Sequence, residues 1–325
     1  MLEGTHTSDR RFDLVALGEA MLEFNQTQPA QPNYLQGFGG DTSNAVIAAA
    51  RAGARTAYLS RVGNDWFGEQ LLALWAREGV DASAVDIDPS HPTGIYFVNH
   101  DPAGHQFSYL RAGSAASAMT PAWLPRQLIQ QARILHVSGI SLALSASAQV
   151  TVLAAMQEAR RCQTLVAFDS NLRLKLWPVE LARAVIEQAL TWCDIFLPSL
   201  EDMQTLLGPV EPEAVVDWSH QQGAKTVVLK LGAQGCLVSD GQRRTLVPGR
   251  FVPLLDATGA GDCFCGNLLA RVAAGADVFD AARFANVAAS LAVQGFGAVG
   301  PLPRADAVWA ALAVEEDTHF ADRVS

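Results

Sequence analysis

Along most of the chain, short apolar runs rich in β-branched residues alternate with longer segments of helical period. The runs are DLVALG (13–18), RTAYLSRVG (55–63), ARILHVSG (132–139), QTLVAFDS (163–170), CDIFLPS (193–199) and KTVVLKLG (225–232). Between them, apolar positions spaced three and four apart predict helices over 43–52, 67–78, 146–161, 178–191 and 213–222. Strand then helix, repeated, predicts an α/β fold with helices on both faces of a central, mostly parallel sheet. The runs end in Gly18, Gly63, Gly139, Asp169, Pro198 and Gly232. Small and polar residues at the carboxyl edge of such a sheet mark the place where ligands bind.

Two stretches break this alternation. Residues 19–37 and 92–112 show a period of two, and the second contains a DPAG turn. They predict a small antiparallel ribbon standing off the main sheet beside the ligand edge, where it would serve as a lid. No internal repeat or long linker divides the chain, so a single domain over residues 1–325 carrying this lid is expected.

A chain of 325 residues, 50% hydrophobic, can bury a large core. Lys and Arg total 23 against 33 Asp and Glu, a formal charge of -10 that gives no footprint for nucleic acid or anionic lipid. The longest uncharged stretch, 134–157, holds His136, Gly139 and several serines, and reads as a buried strand, a loop and a helix rather than a membrane span. The opening MLEGTHTSDRRFD is charged and lacks the apolar centre of a signal peptide, which predicts a cytoplasmic protein. Five scattered cysteines form no CxxC pair and read as small buried hydrophobes. Cys263 and Cys265 point about 200° apart on a helix and could not share a zinc ion.

The sharpest chemical signal is Asp256-Ala-Thr-Gly-Ala-Gly-Asp262, which leads into an apolar helix over 267–274. Small residues before a helix leave its first N–H groups approachable, and the helix dipole adds positive charge, so Gly259, Ala260 and Gly261 form a candidate anion hole. A carboxylate at Asp262 would take a proton from a hydroxyl while those amides hold charge on a transferred phosphoryl group. An aspartate capping its own helix after a glycine turn would give the same string.

DATGAGDCFCGNLLA (256–270) resembles the C-terminal signature of the PfkB/ribokinase family of carbohydrate kinases. GFGGDTSNAVIAAARAGARTAYLSRVGNDWFG (37–68) resembles the N-terminal signature, about 220 residues earlier. The resemblance covers nearly the whole chain and implies a ribokinase-like fold, ATP and Mg²⁺ as cofactors, and a small sugar or sugar acid as substrate. No GxxxxGK[ST] loop, Rossmann GxGxxG or HExxH is present to support a rival motif.

Within the family, Tyr109-Leu-Arg111-Ala-Gly-Ser-Ala, His136-Val-Ser-Gly-Ile-Ser-Leu-Ala-Leu-Ser and Asp169-Ser-Asn171-Leu-Arg173-Leu-Lys-Leu-Trp177 resemble the 2-keto-3-deoxygluconate kinases. Two guanidinium groups, Arg111 and Arg173, suit a carboxylate, although surface pairing with nearby acids would also explain them. The resemblance further implies sugar contacts from Gly39, Gly40, Asn44, Tyr96, Tyr109 and Asp262. For the nucleotide it implies Asn171, Lys230, Gly232, Gly235, Thr258, Gly259, Gly261 and Asn286. The family's Asn-x-x-Glu tied to magnesium appears here as Ser199-Leu-Glu201-Asp202, so Glu201 or Asp202 would act on the ion through water. His136 reads as a satisfied core residue outside the site. A homodimer through the lid is expected from the resemblance. The rival readings are a fructokinase or other neutral-sugar kinase, a purine-nucleoside kinase, and a sugar-binding regulatory protein without turnover.

Overall fold

The computed structural model describes residues 10–28, 31–101 and 104–324. The first nine residues and the two central residues of the DPAG turn, Pro102 and Ala103, lie outside the described residues.

The main sheet has nine strands in the order Arg244–Pro248, Gly235–Ser239, Thr226–Lys230, Ile195–Phe196, Leu165–Asp169, Ala132–Ser138, Phe12–Leu17, Thr56–Leu59 and Val80–Asp81. The seven from Thr226–Lys230 onward pair in parallel, with registers such as Leu14↔Ile134, Leu14↔Thr56 and Ser138↔Asp169. Successive strand residues enter opposite cores. Leu135, Val137, Val166 and Phe168 belong to one buried cluster, whereas Ile134 and Ala167 belong to another. This explains the continuous apolar runs, since a strand covered on both faces has no polar side. The chain builds outward from Phe12–Leu17 in one direction and then in the other, and the crevice at such a reversal is where ligands bind.

The helices Asp41–Arg51, Trp66–Glu78, Ala146–Arg161, Val179–Leu190 and Pro212–Gln221 fall within two residues of their predicted ranges. Two expected strands need correction. Residues 193–199 contribute a two-residue strand, Ile195–Phe196, and an isolated parallel bridge from Ser199 to Lys230. Residues 55–63 break at Ser60, whose hydroxyl donates to Gly18 O at 2.7 Å and whose carbonyl accepts from Asp86 N at 3.1 Å. These bonds turn Arg61–Gly63 away into a separate pairing with Asp86–Asp88. The stretch 134–157 forms part of the strand Ala132–Ser138, a short helix Gly139–Ala143 where a loop was expected, and most of the helix Ala146–Arg161. Among the described residues no helix is long and apolar enough to cross a membrane.

The second sheet orders Tyr34–Gly39, Met21–Gln26, Ile95–Asp101 and Gly104–Leu110. Each hairpin is antiparallel, but the two are joined by a parallel pairing, Leu22↔Ile95 to Asn25↔Val98, so the expected all-antiparallel ribbon is corrected to a mixed four-stranded sheet. Two hairpins whose first strands lie side by side and run the same way must meet in parallel.

Candidate active site

Two helices begin at glycines with left-handed backbone and no side-chain cap: Gly40 (φ 119°) before Asp41–Arg51, and Gly259 (φ 74°) before Ala260–Ala273. Side chains rarely adopt these angles, so glycine is what allows the chain to turn sharply into each helix. The two starts are joined by Asn44 Nδ2, which donates to Asp262 Oδ2 at 2.8 Å.

The second helix starts earlier than the apolar run at 267–274 suggested, and its first intrahelical bond is Cys263 N to Gly259 O at 2.8 Å. Asp262 therefore lies in the first turn, where the dipole favours negative charge. The amide of Ala260 bonds to Ala257 O at 3.1 Å, which corrects the expectation of three open amides. Gly259 and Gly261 keep N–H groups without a partner among the described residues. Burial, followed by the carboxylates of Asp41 and Asp169, pushes the Asp262 carboxyl up to about 8, while Asn44 and Lys230 pull the other way. A carboxyl held near neutrality suits a general base.

Behind Asp262 stands a polar group that the sequence named only in part. Lys230, at the end of its strand, places Nζ 2.8 Å from both oxygens of Asp169, which ends the strand on the far side of Ile195–Phe196. Asn171 (φ 28°) donates from its side chain to Asp41 Oδ2 at 2.9 Å and from its backbone to Asp169 Oδ1 at 3.2 Å. It thus ties the two sides of the site together. Asp41 and Asp169 were not among the sequence candidates. The signals were present, since Asp41 directly follows the Gly39-Gly40 pair and Asp169 stands at the carboxyl edge. Asp41 Oδ1 and Asn44 Oδ1 are buried without a hydrogen-bond partner among the described residues. Two such acceptors side by side on one helix fit hydroxyl groups arriving from a sugar.

His136 does not behave as a satisfied core residue, because its buried Nδ1 lacks a partner among the described residues. Burial pushes its imidazole down, against the opposing pull of Asp169 and Asp41. Cys265 is buried as expected but is more than apolar filler, since its thiol donates to Asp169 Oδ2 at 3.3 Å. Burial raises that thiol well above its ordinary range.

On the second sheet, Tyr96 donates its hydroxyl to Glu23 Oε2 at 2.5 Å and stacks on Tyr109 with ring centroids 5.6 Å apart. Gly39 ends the strand paired through Met21 in the same sheet. The two arginines differ sharply. Arg111 Nε donates to Glu19 Oε2 at 2.7 Å, and Ser114 donates to the other oxygen of the same buried carboxylate. Arg173 is exposed, bonds through Nη1 to Leu172 O at 2.8 Å, and among the described residues has no carboxylate within ion-pair distance.

The candidate nucleotide residues are more dispersed. Gly232 opens a 3₁₀ turn, Gly232–Gln234, and Gly235 begins the following strand. Thr258 bonds through its amide and hydroxyl to Asp256 Oδ1 at 2.9 and 2.6 Å. Asn286 donates to Val247 O at 3.1 Å and Pro248 O at 3.2 Å, pinning the edge strand. Of the two magnesium candidates, Asp202 accepts from Ser170 Oγ at 2.7 Å and Leu172 N at 3.1 Å, which brings it beside Asn171. Glu201 is exposed. Among the described residues no group of three or more His, Cys, Asp or Glu side chains is placed to hold a metal by itself.

A raised carboxyl at one uncapped helix start, beside buried acceptors at a second, is an arrangement suited to phosphoryl transfer to a hydroxyl-bearing small molecule. Comparison with known proteins gives the same class. Residues 11–305 match the model of the pfkB family carbohydrate kinases, and the chain belongs to that family. It is 36% identical over 313 residues to a 2-dehydro-3-deoxygluconokinase of Thermoproteus tenax, covering 93% of this chain and 95% of the relative. It is 30% identical over 308 residues to Fructokinase-2 of Solanum habrochaites, covering 90% and 93%. The solved structure of a PfkB protein from Polaromonas sp. JS666 superposes with a TM-score of 0.84 at 33% identity, covering 91% of this chain and 99% of that one. The protein is a sugar kinase.

Proposed function

We propose that this kinase transfers the γ-phosphoryl group of ATP to the primary hydroxyl of 2-keto-3-deoxygluconate, an acid sugar. The observation that carries the phosphotransfer is Asp262, half-buried at the uncapped start of its helix with its carboxyl raised to about 8. Asp262 takes the hydroxyl proton, Asn44 holds the carboxyl in place, and the open amides of Gly259 and Gly261 receive the phosphoryl charge. Asp41 and Asn44 offer their unpartnered oxygens to sugar hydroxyls.

Magnesium, when bound with ATP, neutralises the triphosphate, and Asp202 beside Asn171 is the acid that fits a water-mediated contact to it. Lys230, Gly232 and Gly235 with Thr258 and Asn286 line the nucleotide side. A fructokinase from Vibrio cholerae O395, 30% identical with a TM-score of 0.82, was solved with fructose, ADP and calcium, which supports an adenine nucleotide here.

The acid substrate rests on Arg173, whose exposed guanidinium has no carboxylate of its own, and on the 2-dehydro-3-deoxygluconokinase relatives. Fructose is the second reading. It is favoured by the neutralisation of Arg111 by Glu19, which leaves one free guanidinium where two were expected, and by the fructokinase relatives. The second sheet closes as a lid with Tyr96 and Tyr109 over the sugar, excluding water that would otherwise accept the phosphoryl group. Its exposed Leu35, Phe107 and Leu110 suit pairing with a second copy. The protein works in the cytoplasm, as one catalytic domain with this lid. Coupled measurement of ADP release with Mg·ATP across acid and neutral sugars tests the reading.

A further inference from the structure

Three carboxylates, Asp41, Asp169 and Asp262, gather where a triphosphate is to react. Among the described residues, neither Asp41 nor Asp262 has an ion pair, and Asp169 has one, to Lys230. A polyanion approaching three carboxylates is repelled unless a cation stands between them. The ammonium of Lys230 has that position. It is half-buried, its side chain 15% exposed, and Asp169 holds it by both oxygens at 2.8 Å. It also lies against the first turn of the Ala260–Ala273 helix, 3.7 Å from where a Cβ on Gly261 would stand, and 3.6 Å from Cys265 Sγ. Gly261 carries one of the two open amides of the candidate anion hole, so the ammonium lies beside the residue that bears that amide.

We propose that Lys230 is a catalytic residue: its ammonium, held by Asp169 against the turn at Gly261, completes the anion hole and takes charge from the phosphoryl group in transfer. The step is an in-line displacement. The bond between the γ-phosphorus and the bridging oxygen to the β-phosphate breaks as the sugar oxygen bonds to phosphorus. The electron pair leaves on ADP, and the sugar proton passes to Asp262. Lys230 neither gives nor takes a proton, but its charge offsets the negative charge spread over the transferred oxygens. This inference rests on the kinase reading above and adds a role that a contact along the nucleotide would not supply.

The rival role for Lys230 is structural, as partner to a buried Asp169. Two variants separate the roles. Lys230→Met alone removes the cation and leaves Asp169 buried and unpaired, so it loses activity under either role and also stability. Lys230→Met combined with Asp169→Asn removes both charges and leaves no unpaired ion, so a structural role predicts recovery of folding and turnover together. The proposal predicts that the double variant melts within a few degrees of wild type and binds the sugar within about threefold. Its kcat stays about 10² below wild type, the size expected for one lost anion-hole group. It also loses the added affinity of Mg·ADP plus aluminium fluoride over Mg·ADP alone, a readout that an ion pair serving only the fold would not move. A double variant with kcat within about threefold of wild type and intact aluminium fluoride trapping overturns the proposal. If the double variant does not fold, Lys230→Met is read by trapping alone: intact aluminium fluoride trapping overturns the proposal, and loss of trapping with sugar and Mg·ADP binding both within about threefold of wild type upholds it. Failure of the wild type to phosphorylate any sugar would instead overturn the kinase reading, so the two failures are told apart.

Discussion

Asn44 and Asp262 stand 218 positions apart in the chain, and the 2.8 Å bond from Asn44 Nδ2 to Asp262 Oδ2 locks together the starts of two helices. One carboxylate oxygen is fixed by that bond, and in the proposed reaction the other takes the proton. Replacing Asp262 by Asn keeps the shape and removes the base. We expect kcat to fall by about 10² or more with sugar affinity within a few-fold, measured by steady-state kinetics and titration calorimetry. Near-normal turnover would remove Asp262 from its role.

The pH dependence follows from the same carboxyl. A base must be deprotonated to act, so kcat/KM for the sugar rises with pH through the region of about 8 and is lost below it. Asn44 pulls the carboxyl down, so Asn44→Ala should move that rise to higher pH. A profile flat from pH 6 to 9 would contradict the assignment.

Stability should show the opposite slope. Asp262 is raised in the folded state from 3.8 to about 8, so the folded protein binds the extra proton between those values. Its stabilising contribution is fully present below about 4 and is lost as pH rises through about 8. Asp262→Asn, which never ionises, should therefore melt about 2–5 °C above wild type at pH 8.5, with the gap closing toward pH 4. Calorimetry in matched buffers would show it, and a gap that widens on acidification would refute it.

The two arginines should fail in different ways. Arg173→Ala should cost about 1.5–3 kcal/mol in kcat/KM toward the acid sugar and little toward fructose, with the melting temperature unchanged. Arg111→Ala strands the buried Glu19, so it should lower stability by about 3 kcal/mol and reduce turnover on every sugar. Equal sugar selectivity in Arg173→Ala and wild type would end the case for a carboxylate partner.

Much of this was legible in the sequence because it rests on local rules. Apolar runs gave the parallel strands, and GAGD at 259–262 announced a helix start with an acid in its first turn. What escaped depends on distant partners. Nothing near Arg111 in sequence tells that Glu19, 92 positions away, accepts from it, or that Asn171 reaches 130 positions to Asp41. The parallel join of the two hairpins is likewise a property of where they meet, and a period of two reads the same in either direction. His136 was misread for the same reason, since whether a buried imidazole is satisfied depends on neighbours that only the fold assembles.

The central claim is best tested by comparing kcat/KM with Mg·ATP for 2-keto-3-deoxygluconate, fructose, ribose and a nucleoside, following ADP release. The account predicts a preference of about 10² or more for the acid sugar, and the same assay on Arg173→Ala should abolish that preference. A preference for fructose would contradict the acid-sugar assignment while leaving Asp262 as the base, and absence of ADP release with every sugar would contradict the account as a whole.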